Sequence, residues 1–202
     1  MSLIAKPSKA DIVTEFRRAQ ILDAARAEFA RHGVGETTVD QIARTAGVAK
    51  GTVYLYYRSK DEILRQLLDR DLAELREETL PSIQAPGALE ERLRRYLTAM
   101  LSFFERKRDF IDHCQLELTG EVRKQIRATL LELYGDQIAA WDSALREAER
   151  TGSAGHAGTA AANIVSLARG LALQRLARGS TEPIESAAAQ ASDLLWKGLA
   201  AR

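Results

Sequence analysis

Hydroxyl, amine and phenol side chains recur over a short run of this 202-residue chain, at Thr38, Lys50, Thr52, Tyr54, Tyr56 and Lys60. Groups of these types donate hydrogen bonds to phosphate oxygens and to base edges. Gly51 stands among them and adds no bulk. The chemistry this pattern supports is noncovalent recognition of a duplex groove rather than the making or breaking of bonds.

Such groups need short helices to present them. Thr38 can cap a helix N-terminus, and Gln41, three residues on, completes a capping box. Ile42 and Ala43 would turn that helix inward, and Gly47 would end it, since the residue at such a position usually takes positive φ. Val48 can plug the turn. Lys50, Gly51 and Thr52 open a second helix, in which Val53 and Tyr57 sit four apart and face the core. Thr52, Tyr54 and Tyr56 are left on or beside the outer surface. Ser59 caps a third helix, with Glu62 as its capping-box partner. Lys60 falls at that N-terminus, an unfavourable place for a cation that a nearby phosphate would repair.

The run from Arg18-Ala-Gln-Ile-Leu-Asp-Ala-Ala, through Phe29, Gly33, Thr37-Thr38-Val39, Ile42-Ala43, Ala46-Gly47-Val48 and Gly51-Thr52-Val53-Tyr54, to Ser59-Lys60-Asp61-Glu62-Ile63-Leu64 resembles the tetracycline-repressor (TetR-like) family of bacterial transcription regulators. It covers roughly the first quarter to third of the chain. The resemblance implies that Lys50, Gly51, Thr52 and Tyr54 approach bases or their flanking backbone, and that Thr38, Tyr56 and Lys60 contact phosphates. Lys50 and Leu55 occupy variable positions, so no target sequence carries over. Plainer roles stay open: Thr38 as a cap alone, Tyr54 as part of the core, and Arg17 and Arg18 as either phosphate contacts or a solvated helix end.

A chain of this length can bury a real core in one domain or two small ones. Its hydrophobic share of 46% is ordinary. The single cysteine, Cys114, excludes an intrachain disulfide framework and suits a reducing cytoplasm. No apolar run approaches the roughly 18 residues of a membrane span, and the N-terminus has no signal-like apolar stretch. Membrane partners are therefore not expected. Net charge is +1, but residues 1–60 carry ten Lys and Arg against six Asp and Glu. The basic excess falls on the segment expected to meet DNA.

The periodicity is helical throughout. A first helix is expected from about Thr14 to His32, two short ones follow, and a fourth runs from Ser59 to about Thr79, with a connector at residues 80–87. Beyond Ala88, one helix places Leu89, Leu93, Tyr96, Leu97, Met100, Phe103 and Phe104 on an arc. A shorter one carries Phe110, Ile111, Cys114 and Leu118, a long one spans about Glu121 to Arg150, and two more close the chain. The expected fold is all-α, with about nine helices. A three-helix helix-turn-helix DNA-binding domain at residues 1–60 precedes a helical ligand-binding and dimerisation domain at residues 61–202.

The last two helices are apolar over about half their circumference, more than packing on one side requires. Ile164, Leu167 and Leu171, with Ala188, Ala191 and Leu195, are the candidate dimer contacts, in a four-helix bundle built from two copies. A well-buried monomeric hairpin is the alternative, and the resemblance favours the dimer. Tyr96, Met100, Phe103, Phe104, His113, Cys114, Tyr134 and Trp141 are candidates for a mainly apolar effector pocket, with ordinary core the favoured reading of each. Asp109, His113 and Glu117 share a helix stripe that could ligate a divalent metal, but a solvated polar edge is the favoured reading and no metal is expected. No cofactor is expected. The chain has no glycine-rich phosphate loop, His-Glu-x-x-His or nucleophile elbow, so an enzyme is not expected. The reading is a homodimeric repressor released from a palindromic operator by an apolar small molecule. A dimeric small-molecule-binding protein or enzyme with a vestigial DNA module is the alternative.

Overall fold

The computed structural model describes residues 8–111, 120–151 and 159–200. His113, Cys114, Glu117 and His156 lie outside the described residues. All regular structure among the described residues is helical: α1 (Lys9–Glu36), α2 (Val39–Thr45), α3 (Lys50–Tyr56), α4 (Lys60–Gln84), α5 (Leu89–Arg106), α6 (108–111), α7 (Gly120–Arg150), α8 (Ala160–Ala177) and α9 (Ile184–Ala200). No helix among them is long and apolar enough to cross a membrane. The chain forms two compact units, Met1–Asp69 with Asp109–Arg123, and Arg70–Arg108 with Lys124–Arg202. Helix α4 contributes residues to both.

In the first unit, α1 starts earlier than its apolar periodicity suggests. Ser8 accepts from the Asp11 backbone N–H and Asp11 accepts from the Ser8 N–H, a reciprocal cap that extends the helix to Lys9. Gly33, at φ +80°, breaks it. Ile21, Ala25 and Phe29 of α1 pack with Ile42, Val53, Ile63 and Leu67, and the Phe29 and Phe110 rings stack at 6.5 Å. Helix α2 ends in a paired C-cap: Val48 N–H reaches Ala43 O and Gly47 N–H reaches Arg44 O, each at 3.0 Å, with Gly47 at φ +64°. Only a residue that tolerates this left-handed turn lets α3 leave α2 so sharply.

The second unit packs α5 against α8 and α9. The expected arc of α5 is buried along its length, from Leu89 to Phe104. Ile126, Leu133, Trp141 and Leu145 of α7 are buried as well. Helix α4 passes through Pro81 to Gln84, past the connector that the proline suggests. Pro81 removes one N–H from the last turns, but Ile83 is fully buried and its carbonyl accepts from Arg92 Nε at 2.6 Å. Burial of Ile83 outweighs one lost hydrogen bond, and the turn starts at Ala85 instead.

Candidate nucleic-acid interface

Helix α3 is seven residues long and has one inward pole. Val53 is fully buried, and Tyr57, just past the C-terminus, is 3% exposed. At about 100° per residue, the opposite pole is formed by Gly51 and Leu55, one turn apart. Lys50 and Tyr54 flank that pole on one side and Thr52 on the other. Tyr54 is 48% exposed and Leu55 82%. A Cβ added to Gly51 would meet nothing within 4 Å. The outward surface of α3 therefore carries a phenol, an ammonium group, a hydroxyl and one bare leucine around a gap.

Helix α2 sets the approach to this surface. The Thr38 hydroxyl accepts from Gln41 N–H at 3.3 Å and donates to Gln41 Oε1 at 2.7 Å, while the Gln41 side chain accepts from Thr38 N–H at 2.8 Å. Thr38 is exposed, so its cap sits at the surface with the α2 N-terminus. Lys50 Nζ donates to Asp40 Oδ2 at 3.0 Å, and this hydrogen bond with its charge raises the Lys50 pKa above the usual lysine value. A phosphate or base edge must compete with Asp40 for that ammonium. Replacing Asp40 by Asn is expected to free Lys50 and raise affinity for duplex DNA severalfold at low salt. The slope of log affinity against log salt should steepen by about one per half-site. The helix should lose about 0.3–1 kcal/mol of dipole stabilisation. Fluorescence anisotropy over a salt series checks this, and an unchanged slope would mean that Lys50 meets no phosphate.

Lys60 uses its ammonium group within the chain. Nζ donates to the carbonyls of Val34, Gly35 and Thr37 at 2.6, 2.9 and 2.8 Å, closing the segment that follows the Gly33 break. All three of its donors are engaged. A phosphate at this place would share an ammonium that also fixes the α1–α2 connection. Ser59 Oγ accepts from Glu62 N–H at 3.1 Å, as the spacing suggests, but the Glu62 carboxylate accepts from Arg58 N–H at 2.6 Å rather than from Ser59. Tyr56 is half-buried against the core cluster.

Three contacts that spacing does not announce hold α2 and its link to α1. Gln20 Nε2 donates to Ala46 O at 2.7 Å and Arg17 Nη1 donates to Gln20 Oε1 at 2.8 Å. Glu28 is 3% exposed and accepts from the Thr45 hydroxyl at 2.7 Å, with Arg31 Nη1 at 3.2 Å. Thr37 is buried and its hydroxyl donates to Gly33 O at 2.6 Å. The available signal was the position of Glu28, seven residues after Ile21 on the apolar stripe, where a carboxylate needs a partner. Arg18 lies over the Tyr57 ring at 5.9 Å, and the Tyr57 hydroxyl donates to Arg18 O at 3.2 Å.

The remaining candidates belong to the second unit. Tyr96, Met100 and Trp141 are fully buried, and Phe103 and Phe104 nearly so. Tyr134 is half-buried beneath the Arg169 guanidinium at 5.3 Å. Tyr96 and Trp141 meet edge to face at 5.5 Å. A polar chain crosses this core: Tyr96 Oη donates to Gln137 Oε1 at 2.9 Å, Gln137 Nε2 to Thr79 Oγ1 at 2.8 Å, and Thr79 Oγ1 to Leu75 O at 2.6 Å. Burial pushes the Tyr96 phenol pKa up, so it stays a neutral donor. The Trp141 indole N–H is buried without a hydrogen-bond partner among the described residues. Of the metal stripe only Asp109 is described. On α8 and α9, Ile164 and Ala188 are buried in their own chain, Leu171, Ala191 and Leu195 are half-buried, and Leu167 is 54% exposed. Leu194, which the periodicity also places on the apolar arc, is 75% exposed. A groove of about 800 Å³ between these two helices is lined by Ile164, Leu167, Leu194, Leu195 and Leu199 among others.

Residues 21–67, which hold the second half of α1, all of α2 and α3 and the start of α4, match the model of a family described as bacterial regulatory proteins, tetR family. The chain is 29% identical over 133 residues to the fatty acid metabolism regulator protein of Bacillus subtilis, covering 66% of this chain and 68% of that one. It is 28% identical over 144 residues to the transcriptional regulator TtgR of Pseudomonas putida, covering 67% and 69%. Its fold is similar to that of the regulator FadR from Bacillus subtilis solved in complex with stearoyl-CoA, with a TM-score of 0.72 at 22% identity over 90% of this chain and 98% of that one.

Proposed function

We propose that this chain, which belongs through its N-terminal domain to the tetR family of bacterial regulatory proteins, is a homodimeric repressor released from a two-fold symmetric operator by a mainly apolar small molecule. DNA recognition is assigned to residues 1–60, and effector binding and assembly to residues 61–202. The observation that carries the reading is the outward surface of α3, where Lys50, Gly51 and Tyr54 are exposed and Thr52 is half-buried at its edge. A two-fold dimer offers two such helices to successive major grooves about 34 Å apart. The exposed leucines of α8 and α9 support assembly through those helices.

The aromatic interior of the second unit supports an apolar effector. Tyr96, Met100, Phe103, Phe104, Tyr134 and Trp141 supply the apolar wall, and the Trp141 N–H, which has no partner among the described residues, offers one donor to an acceptor on the ligand. His113 and Cys114 remain candidates for the same wall. The name of the Bacillus subtilis relative and the stearoyl-CoA of its structural neighbour point the choice of effector toward long-chain acyl compounds. The two relatives named above are regulators, which supports regulation over catalysis.

Operator selection from random duplexes, followed by titration with stearoyl-CoA and with coenzyme A alone, tests the reading. Stearoyl-CoA is expected to displace the selected duplex and coenzyme A is not. By linkage, the operator must weaken stearoyl-CoA binding by the same factor by which stearoyl-CoA weakens operator binding. No enriched duplex would overturn the regulator. An enriched duplex with equal stearoyl-CoA affinity in its presence and absence would overturn the coupling to this effector.

A further inference from the structure

We infer that Leu55 reads the 5-methyl groups of thymines in the operator half-site. Lone leucines on a surface are ordinary, but Leu55 is placed where that explanation is insufficient. At 82% exposed, it is more open than Ile12, Val13, Phe16, Tyr54, Leu131, Leu167 and Leu194. It lies on the pole of α3 opposite the fully buried Val53, on the helix that a helix-turn-helix presents to the major groove. One turn before it, Gly51 has no side chain and open space around it, so this pole can come close to the base edges.

The chemistry of the groove narrows the partner. Guanine, adenine and cytosine edges present hydrogen-bond donors and acceptors there, and thymine adds the one apolar group, its 5-methyl. A leucine pressed on amino or carbonyl edges would strip them of water without replacing the hydrogen bonds. Pressed on a methyl, it buries apolar surface on both sides. Lys50 and Tyr54 flank the same pole with polar groups, so hydrogen bonding and methyl contact divide between the side and the centre of α3. The half-site should therefore carry thymine where Leu55 lands, a preference that no hydrogen bond on the protein explains.

The inference rests on the DNA-binding role of α3, and the test separates the two. A duplex is first selected with the full wild-type chain. Its thymines are then replaced one at a time by deoxyuridine, which keeps base pairing and deletes only the methyl. Binding is measured for wild type, Leu55→Ala and Leu55→Met. Because Leu55 is mostly exposed, both variants are expected to fold, as circular dichroism will verify. For wild type, one or two thymines per half-site should lose roughly fourfold in affinity on losing the methyl. For Leu55→Ala, the same replacements should cost less than about 1.5-fold, and Leu55→Met should keep most of the wild-type response. Thymines read through Thr52 or Tyr54 would respond equally in all three proteins. An enriched duplex in which no thymine responds through Leu55 overturns the inference while leaving DNA binding intact. Failure to enrich any duplex overturns both.

Discussion

Replacing Gly51 by leucine is expected to abolish specific DNA binding while leaving the protein folded. Inside the chain the substitution is easy. A Cβ at Gly51 meets no atom within 4 Å, and its backbone is helical. Leucine is the better helix former by up to about 0.8 kcal/mol, with less expected so near a helix start. The thermal midpoint should hold or rise slightly. The cost falls on the partner side, because Gly51 shares the outward pole of α3 with Leu55 and a leucine there stands between the helix and the base edges. Overpacking a close contact typically costs 1–3 kcal/mol, roughly fivefold to 150-fold in affinity, and a two-fold dimer incurs it twice. Anisotropy titration with the selected duplex, alongside thermal melting, checks both halves. Near wild-type affinity would show that α3 does not bring this pole to the DNA.

What the sequence made legible was what is decided locally. The Thr38–Gln41 cap and the Gly47 turn depend on residues within three or four positions, and both stand where their spacing put them. The inward pole of α3 follows from period alone, and Val53 and Tyr57 are buried accordingly. What stayed hidden depends on distant partners. Nothing near Lys60 in the chain announces that its ammonium closes on carbonyls 23–26 residues earlier. Asp40 and Lys50 are ten apart and meet only because the α2–α3 turn folds them together. Pro81 read as a breaker because its missing N–H is local knowledge, whereas the full burial of Ile83 that carries the helix onward is not. The Ser8–Asp11 box was legible in principle, but it precedes the apolar stripe by three turns, so period alone starts α1 too late. For the effector, periodicity separates buried from exposed faces but cannot tell a cavity wall from filled core, so the aromatic residues of α5 and α7 stay candidates of one kind.

Glutamate at both Leu167 and Leu194 is expected to convert the proposed dimer to a folded monomer. These side chains separate assembly from folding better than Leu171, which is half-buried in its own chain. Leu167 is 54% exposed and Leu194 75%, so neither charge has to be buried for the chain to fold. In a two-fold interface each position occurs twice. Burying a leucine side chain contributes about 1.5–3 kcal/mol, and a carboxylate left in the seam adds a desolvation cost. Scaled to the surface that Leu167 and Leu194 still expose, the four leucines correspond to roughly 4–8 kcal/mol. Micromolar samples should then sediment as monomers, with thermal midpoints near those of the dissociated wild type. DNA binding should fail in a specific way. Each half-site still has its helix-turn-helix, but the tethering that raises affinity for a paired site is gone. The variant should therefore bind a single half-site and a full palindrome with similar weak affinity per site, whereas the wild type is expected to prefer the palindrome by orders of magnitude. A double variant that still sediments as a dimer, or a wild type that is monomeric at micromolar concentration, would place the interface elsewhere or remove it.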